Sequence, residues 1–550
     1  TNFADTTDID GAETINLGVV AGADITIGAN GAGATTANGI SEATSVVLTG
    51  GNELSTFTVG SNGGAAAGDT ISGTTLTTFD ASGFGGNIDL EYAVEMPATL
   101  TVSAGALTTD VVRTSYDAGG TDILLGLTGV ERFVAELDAT NNGGETYTFD
   151  LGSSSGVTRM EFASGTIDTN TVVVDSYTSG TTIQLGTTIA AAVQEFGGNL
   201  DVNMVNSTGT SDVLNVRLQD TEDGVLGDID AAGIETTNLV LTTDAQSHNL
   251  NLAGISPTVG SAGTINISGG VAGDGITVTA VAAGVTTIDA STLAGTFTLS
   301  DRGSTAMTIT GGTAADSLRM ENAGDVMTGG TGSDTLVIVQ NAVLGGFAVD
   351  LSSATDQVTT YNGSANAAVQ VGFENVDLSG VTGSNGADIT AAGTATVATA
   401  STILSTPNVD NITLGGGVDT LRLVALNLTA NDTINGFNAA GADVIQLDAG
   451  LFTVADYQEA AAITAGANAD VTVATTALAN DAAIITAIQT SVDATDTLFI
   501  MGNTSTGQAE MWYDANPNAD GGEIKVGTFS DIASTGLAAA FATGDFTFVA

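Results

Sequence analysis

Cysteine is absent from the 550 residues, which excludes disulfides, thiolate metal sites and cysteine nucleophiles. A single histidine, His248, leaves no material for a His-rich zinc site or a two-histidine iron centre. Positive charge is almost as scarce. Only 8 Lys+Arg stand against 62 Asp+Glu, a formal net charge of −54. The eight, Arg113, Arg132, Arg159, Arg217, Arg302, Arg319, Arg422 and Lys525, are spread along the chain, and no two are close enough in sequence to read as a patch. Such a surface repels phosphate backbones, so nucleic acid is excluded as a partner. It is equally repelled by anionic membranes approached without a bridging cation. Four prolines exclude collagen and Pro-rich linkers. No apolar run approaches the roughly 18 residues of a membrane helix, so no membrane insertion is expected. Thr1-Asn2-Phe3-Ala4-Asp5 carries neither a basic n-region nor an apolar h-region, so no signal peptide is read there.

What remains is a core-forming chain, 42% hydrophobic and with 73 glycines. Its acidity alone would suggest disorder; its apolar content does not. Short alternating segments rich in Thr, Val and Ile dominate to about residue 450. Thr56–Val59, Asn87–Leu90, Thr264–Ile267, Ile276–Thr279 and Met307–Thr310 are examples, each bounded by Gly, Asn, Asp or Ser. Period-2 alternation with turn punctuation predicts strands, and many at close spacing predict a sandwich or a solenoid. Helical spacing is rare. Ile484, Ile485, Ile488 and Val492 share a helix face, with Asn480 or Asp481 as N-cap, and a weaker helical pattern runs from Val454 to Ile463. Changes of texture divide the chain into 1–250, a strand-repeat region; 251–450, with regular Gly/Asp spacing; and 451–550, a C-terminal α+β cap. The predicted class is all-β: a parallel β-roll or β-solenoid with an additional β-rich N-terminal region and a small α-containing cap.

Gly329-Gly330-Thr331-Gly332-Ser333-Asp334-Thr335-Leu336-Val337 matches the nonapeptide G-G-x-G-x-D-x-U-x at every fixed position. The phase continues upstream. Asp325 lies nine residues earlier, and Asp316 nine before that, in a unit opening with Gly311 and Gly312. Leu318, Met327 and Leu336 each follow two residues after an Asp. Asp410 and Asp419 repeat the spacing, with Gly415 and Gly417 in the intervening turn, and Asp443 follows Gly441. Gly269-Gly270-Val271-Ala272-Gly273-Asp274 is a further variant, and weaker echoes surround Asp69, Asp122 and Asp212. Only 329–337 is complete: the 311 unit lacks its third glycine, the 320 unit lacks the glycine pair, and the 414 unit begins with Leu414. Oxygen-rich, glycine-bent turns suit a hard divalent cation, which takes six to eight oxygens.

These repeats resemble the RTX family of calcium-binding secreted proteins. The resemblance implies a parallel β-roll in which each nine-residue unit is a Gly-rich half-turn ending in Asp, then a short strand with its U residue inward. Successive units alternate sides, so Asp316 and Asp334 share one side and Asp325 lies opposite. Calcium ions would take carboxylate oxygens from Asp274, Asp316, Asp325, Asp334, Asp410, Asp419 and Asp443. Carbonyls would come from turns carrying Gly311, Gly312, Gly329, Gly330, Gly332, Gly415, Gly417 and Gly441. The tail, Asp545-Phe546-Thr547-Phe548-Val549-Ala550, is similar to the uncleaved tail of type I secretion substrates, an acidic residue before small and apolar ones. Asp432–Phe437 and Asp443–Asp448 are similar to the segment closing RTX repeats. A third pattern, Gly129-Val130-Glu131, Gly233-Ile234-Glu235 and Gly372-Phe373-Glu374, reads as a turn-to-strand junction without a chemical role.

RTX repeats serve toxins, proteases, lipases, adhesins and surface-layer proteins, so they do not decide function. No His-Glu-x-x-His or Gly-x-Ser-x-Gly is present, and His248 reads as a surface residue on an alternating strand. Aromatics, 5% of the chain, are too sparse for an obvious sugar platform. The expected protein is not an enzyme. The low-Lys, Thr/Gly/Ala-rich, acidic, strand-repetitive chain resembles calcium-dependent surface-layer proteins exported by the type I route, which implies a structural protein at the extracellular cell surface that self-assembles with calcium into a homo-oligomeric lattice or fibre. Its partners are further copies of itself and a cell-surface glycan. An RTX adhesin or fibre subunit is the alternative, and an RTX enzyme a more distant one.

Overall fold

The computed structural model describes residues 2–3, 13–27, 43–59, 75–92, 96, 99–116, 123–137, 144–164, 170–186, 198–219, 227–242, 247–303, 305–339, 345–393, 399–423, 428, 430–437, 443–448, 457–460, 470–491, 497–517 and 521–549. The chain forms two compact units, Thr1–Thr305 and Ala306–Ala550, each built on coiled parallel strands.

In the first unit the strands alternate between opposing sheets. Thr56–Val59, Asn87–Tyr92, Val111–Tyr116, Arg132–Leu137, Arg159–Ser164, Thr182–Leu185, Val213–Leu218, Thr236–Leu241, Gly263–Gly269 and Val285–Leu293 stack in that order. Between them the chain crosses to a second face, where Thr146–Asp150, Thr171–Tyr177, Asn199–Met204, Asp228–Ala232, Ser247–Ser256, Gly275–Val281 and Thr296–Leu299 stack likewise. Nearer the N-terminus that face is a separate five-stranded sheet running from Gly126–Thr128 to Thr14–Val19. Alternation puts every second side chain between the faces. Phe149 stands in this core against Tyr116 at 5.3 Å, Phe133 at 5.8 Å and Phe162 at 5.1 Å between ring centroids. Aromatic stacking adds about 0.5–1.5 kcal/mol per pair to the burial itself.

The second unit tightens the coil. Val326 stacks on Thr308, and Thr335 on Ser317, each eighteen residues on, which is two nonapeptides per turn. Leu318, Met327 and Leu336 are fully buried, as U residues should be. Asp316 and Asp334 precede strands of one sheet, and Asp325 precedes a strand of the other. Farther on, Thr497–Asn503, Gln508–Asp514 and Ile524–Ala533 form an antiparallel meander. Helix α1 (Asp481–Gln489) starts at the expected cap, with the Asn480 side chain accepting from Ala483 N–H. It seats Ile484 and Ile488 against Phe499, Met501 and Trp512. The tail is itself a strand: Phe546–Val549 pairs with Val444–Asp448. No helix among the described residues is long and apolar enough to cross a membrane.

Three expectations need correction. Of the helical pattern Val454–Ile463, Tyr457–Ala460 is a strand paired with Val471–Ala474, and the rest lies outside the described residues. Pairing has overridden the helical leaning of an Ala-rich segment. His248 is 1% exposed, on the inward face in register with Ile276, because it shares its phase with Leu250 and Leu252. The arginines are not isolated either. Arg132 stacks directly on Arg159, since parallel register brings together residues one coil apart.

Candidate functional site

A parallel coil creates a recurrent problem at strand entrances, where the backbone N–H before the first ladder bond has no carbonyl opposite it. Left buried and unpaired, such a group costs about 1–3 kcal/mol. The aspartates of the repeat solve it. Asp334 Oδ1 accepts from Asp316 N–H at 2.8 Å, and Asp325 Oδ1 from Met307 N–H at 3.0 Å, each one coil back. Asp419 Oδ1 serves Ser401 N–H (2.9 Å), and Asp443 Oδ1 in turn serves Asp419 N–H (2.9 Å). Asp410 Oδ1 serves Ala387 N–H (2.5 Å), and Asp432 Oδ1 serves Asp410 N–H (2.9 Å). The second oxygen often closes its own turn: Asp316 Oδ2 takes Gly312 N–H, Asp325 Oδ2 takes Asn322 N–H, Asp410 Oδ2 takes Thr406 N–H and Asp419 Oδ2 takes Gly415 N–H.

The Gly-hydrophobe-Glu junctions perform the same task. Glu374 Oε2 accepts from Asp334 N–H (2.9 Å), Glu131 Oε2 from Asp110 N–H (3.0 Å) and Glu235 Oε2 from Asp212 N–H (2.9 Å). Gly129, Gly233 and Gly372 have φ of 69°, 78° and 78°, the left-handed bend that turns a longer acid back toward the coil below. A role was therefore missed at these junctions; the glutamate at a fixed offset from each glycine was the available signal.

The nonapeptide turns also stack on one another. A Cβ on Gly330, at φ 115°, would lie 2.2 Å from Gly312 O, and one on Gly332, at φ 145°, 2.2 Å from Ala314 O. Turn carbonyls are thus held close to the coil above, where only glycine fits.

Burial of these acids shifts their protonation. Asp334 is pushed up to about 6 by burial, with the charges of Asp316 and Glu374 adding to the effect and the Asp316 N–H opposing it. Burial likewise pushes Asp410 and Asp110 up to about 6. Asp432 rises to about 8 through burial and then the charge of Asp410.

Among the described residues, no three Asp, Glu, His or Cys side chains gather into a ready-made metal group. A cation here would need backbone carbonyls as well. Two repeat acids fit that requirement best, because each keeps one buried oxygen without a hydrogen-bond partner: Asp334 Oδ2 and Asp274 Oδ1. Asp334 Oδ2 lies over Gly329, within 2.9 Å of where a Cβ would be. Asp274 instead uses Oδ2 to close its own turn at Val271 N–H (2.6 Å). Asp325, Asp410 and Asp419 have both oxygens engaged by N–H groups, and Asp316 has Oδ2 engaged by Gly312 N–H. Gly441, Asp69 and Asp122 lie outside the described residues. Compared with protein-family models, curated proteins and solved structures, the chain finds no match in any of the three.

Proposed function

We propose that the protein is an exported, calcium-organised structural protein of the cell surface whose copies assemble into an extended layer. The observation that carries this reading is the pair of buried, unpartnered carboxylate oxygens, Asp334 Oδ2 and Asp274 Oδ1, in glycine-rich turns of a highly acidic chain. Ca²⁺ would be held there by oxygen alone: the Asp334 carboxylate with turn carbonyls around Gly329, Gly330 and Gly332, and the Asp274 carboxylate with those of its own turn. The ion supplies charge neutralisation and turn order, not chemistry on a substrate. Each Ca²⁺ removes two units of negative charge and fixes glycines whose backbone entropy opposes folding. Neutralisation also reduces the repulsion between copies of a −54 chain. Extracellular calcium modules bind at about 10⁻⁴–10⁻³ M, so such sites fill outside the cell and stay empty in a calcium-poor cytoplasm.

A calcium titration followed by light scattering and circular dichroism tests this. Chelation should dissociate the assembly and loosen the repeat, and Ca²⁺ should restore both. Na⁺ at equal ionic strength should restore neither, because it screens without coordinating. An assembly that stays folded and intact in excess chelator would defeat the proposal.

A further inference from the structure

Three of the eight basic residues of this acidic chain, Arg132, Arg159 and Arg217, gather in the first unit. On one outward face of the first unit, the register stacks Arg132, Arg159, Thr182, Asn215, Asn238 and Asn266 in a single row. Beside it, Glu161, Gln184 and Arg217 form a second row. Glu161 is fully buried and bridges two guanidinium groups, accepting from Arg132 Nε at 2.5 Å and Nη2 at 2.7 Å, with Arg159 Nε at 2.7 Å. Arg159 also donates to buried Gln184. Glu161 is thus shared by Arg132 and Arg159, Arg132 also feels the charge of Asp89, which pairs with Arg113 at 3.1 Å, and Arg217 Nε is buried without a hydrogen-bond partner. Burial lowers the pKa of Arg159, as do the charges of Arg132 and Arg217, while Glu161 opposes the shift. The side chains of Arg132 and Arg159 remain 27% and 30% exposed. The row then continues as an amide ladder: Asn238 Nδ2 donates to Asn215 Oδ1, and Asn266 Nδ2 to Asn238 Oδ1, both at 2.8 Å. Each amide keeps a second N–H and a second lone pair.

We propose that this row is a binding track for an extended anionic glycan, whose oxyanion groups pair with Arg132, Arg159 and Arg217 and whose hydroxyls meet the asparagine ladder. The argument is one of spacing and sign. Coils repeat every 4.7–4.9 Å or so, comparable with the rise of one sugar unit in an extended chain. Guanidinium groups pair with carboxylate, sulfate or phosphate through parallel N–H donors. Among the described residues the clustered guanidinium groups keep a local field within a −54 chain, because charges beyond about 8–10 Å are screened at physiological salt. The same net charge suppresses diffuse anion adsorption, so any anion held by this protein is held locally. A strand from a second copy would seek a sheet edge, whereas these residues lie on a face. The track needs neither calcium nor assembly, so it names a partner for the surface-layer reading but stands without it.

Binding of polygalacturonate oligomers to the full chain, in calcium and in chelator at matched ionic strength, is the test. Dextran serves as the neutral control and polyphosphate as the phosphate-bearing arm. The expected result is binding of the polyuronate in both conditions, weakening as salt rises, with no binding of dextran. Arg217→Gln should weaken it about tenfold or more, the loss of one charge-assisted contact. Asn238→Val should weaken it less while leaving the circular dichroism unchanged. Preference for polyphosphate over the uronate would identify the anion as phosphate and keep the track. Several results would overturn the proposal: no binding at low salt, equal binding of dextran, or calcium-only binding untouched by Arg217→Gln, which is cation bridging. An Arg217→Gln defect confined to self-association would assign the arginines to a second copy instead.

Discussion

The nonapeptide coils around Asp316–Asp334 and the longer coils of the first unit use the same strands and the same caps, yet differ in their turns. In the nonapeptides a coil returns after eighteen residues, and the connecting turns are so tight that carbonyls of one coil leave no room for a side chain on the glycines of the next. In the first unit Asn215 stacks on Thr182 and Arg159 on Arg132 across wider, unequal intervals, but Glu131 and Glu235 still cap the coil below. Strand stacking therefore tolerates turns of many lengths. Turn tightness is what distinguishes a place where carbonyls could converge on a cation from a place where the acid only caps the backbone.

The largest expected effect separates core from turns. Phe149→Ala should cost about 3–5 kcal/mol by opening a cavity among Tyr116, Phe133 and Phe162. The loss, read from denaturant midpoints, should be the same with and without calcium. A calcium-dependent loss would mean that the Asp274 turn, in the same unit, is coupled to this core.

Acidity should act next, and mainly in the second unit. The folded-state values of Asp334, Asp410 and Asp432 are raised to about 6, 6 and 8, above the unfolded value of 3.8. Groups shifted in this direction contribute stability that is fully present below the unfolded value and is lost as pH rises through the folded one. In chelator, then, the second unit should melt at lower temperature at pH 8 than at pH 5, at about 1.4 kcal/mol per pKa unit for each fully coupled group. Calcium should offset only the Asp334 share of this loss, because it binds the deprotonated acid there while Asp410 and Asp432 remain backbone caps. Equal melting at both pH values in chelator would remove the buried-acid account.

The smallest effects compare two caps. Asp334→Ala strips a buried N–H and Glu235→Ala a half-buried one of its acceptor, and each should cost about 1–3 kcal/mol in chelator, Glu235→Ala the less. In calcium only the Asp334→Ala penalty should grow. Hydrogen exchange at Asp316 and Asp212 amides reads both losses directly.

Much of this architecture was legible in the sequence because its rules are local. Period-2 segments such as Thr264–Ile267 became strands, and the roll implied by the RTX resemblance put Asp325 on the side opposite Asp316 and Asp334. The inward turn of His248 was legible too, from the phase of Leu250 and Leu252, though it was read as outward. The rest depended on register between residues joined by long connections. Glu374 caps Asp334 from forty residues away, and Arg132 meets Arg159 across a full coil. Neither distance is fixed by any local pattern, because turn length in this fold is free. The acid excess had suggested cations alone. In the structure, many of those acids first satisfy backbone donors.

The caps also give the molecule a direction. In the carboxylate ladders described above, the acid comes from the later coil and the N–H from the earlier one: Asp334 for Asp316, Asp443 for Asp419, Glu131 for Asp110. A coil is thus left incomplete until its successor has been laid down. As the chain emerges from its N-terminal end, each new turn locks the one before it and leaves its own entrance open, so growth proceeds like a ratchet with one exposed tooth. Cutting the stack at any such coil removes more than the coil that is lost, because the survivor next to the cut loses its lock as well.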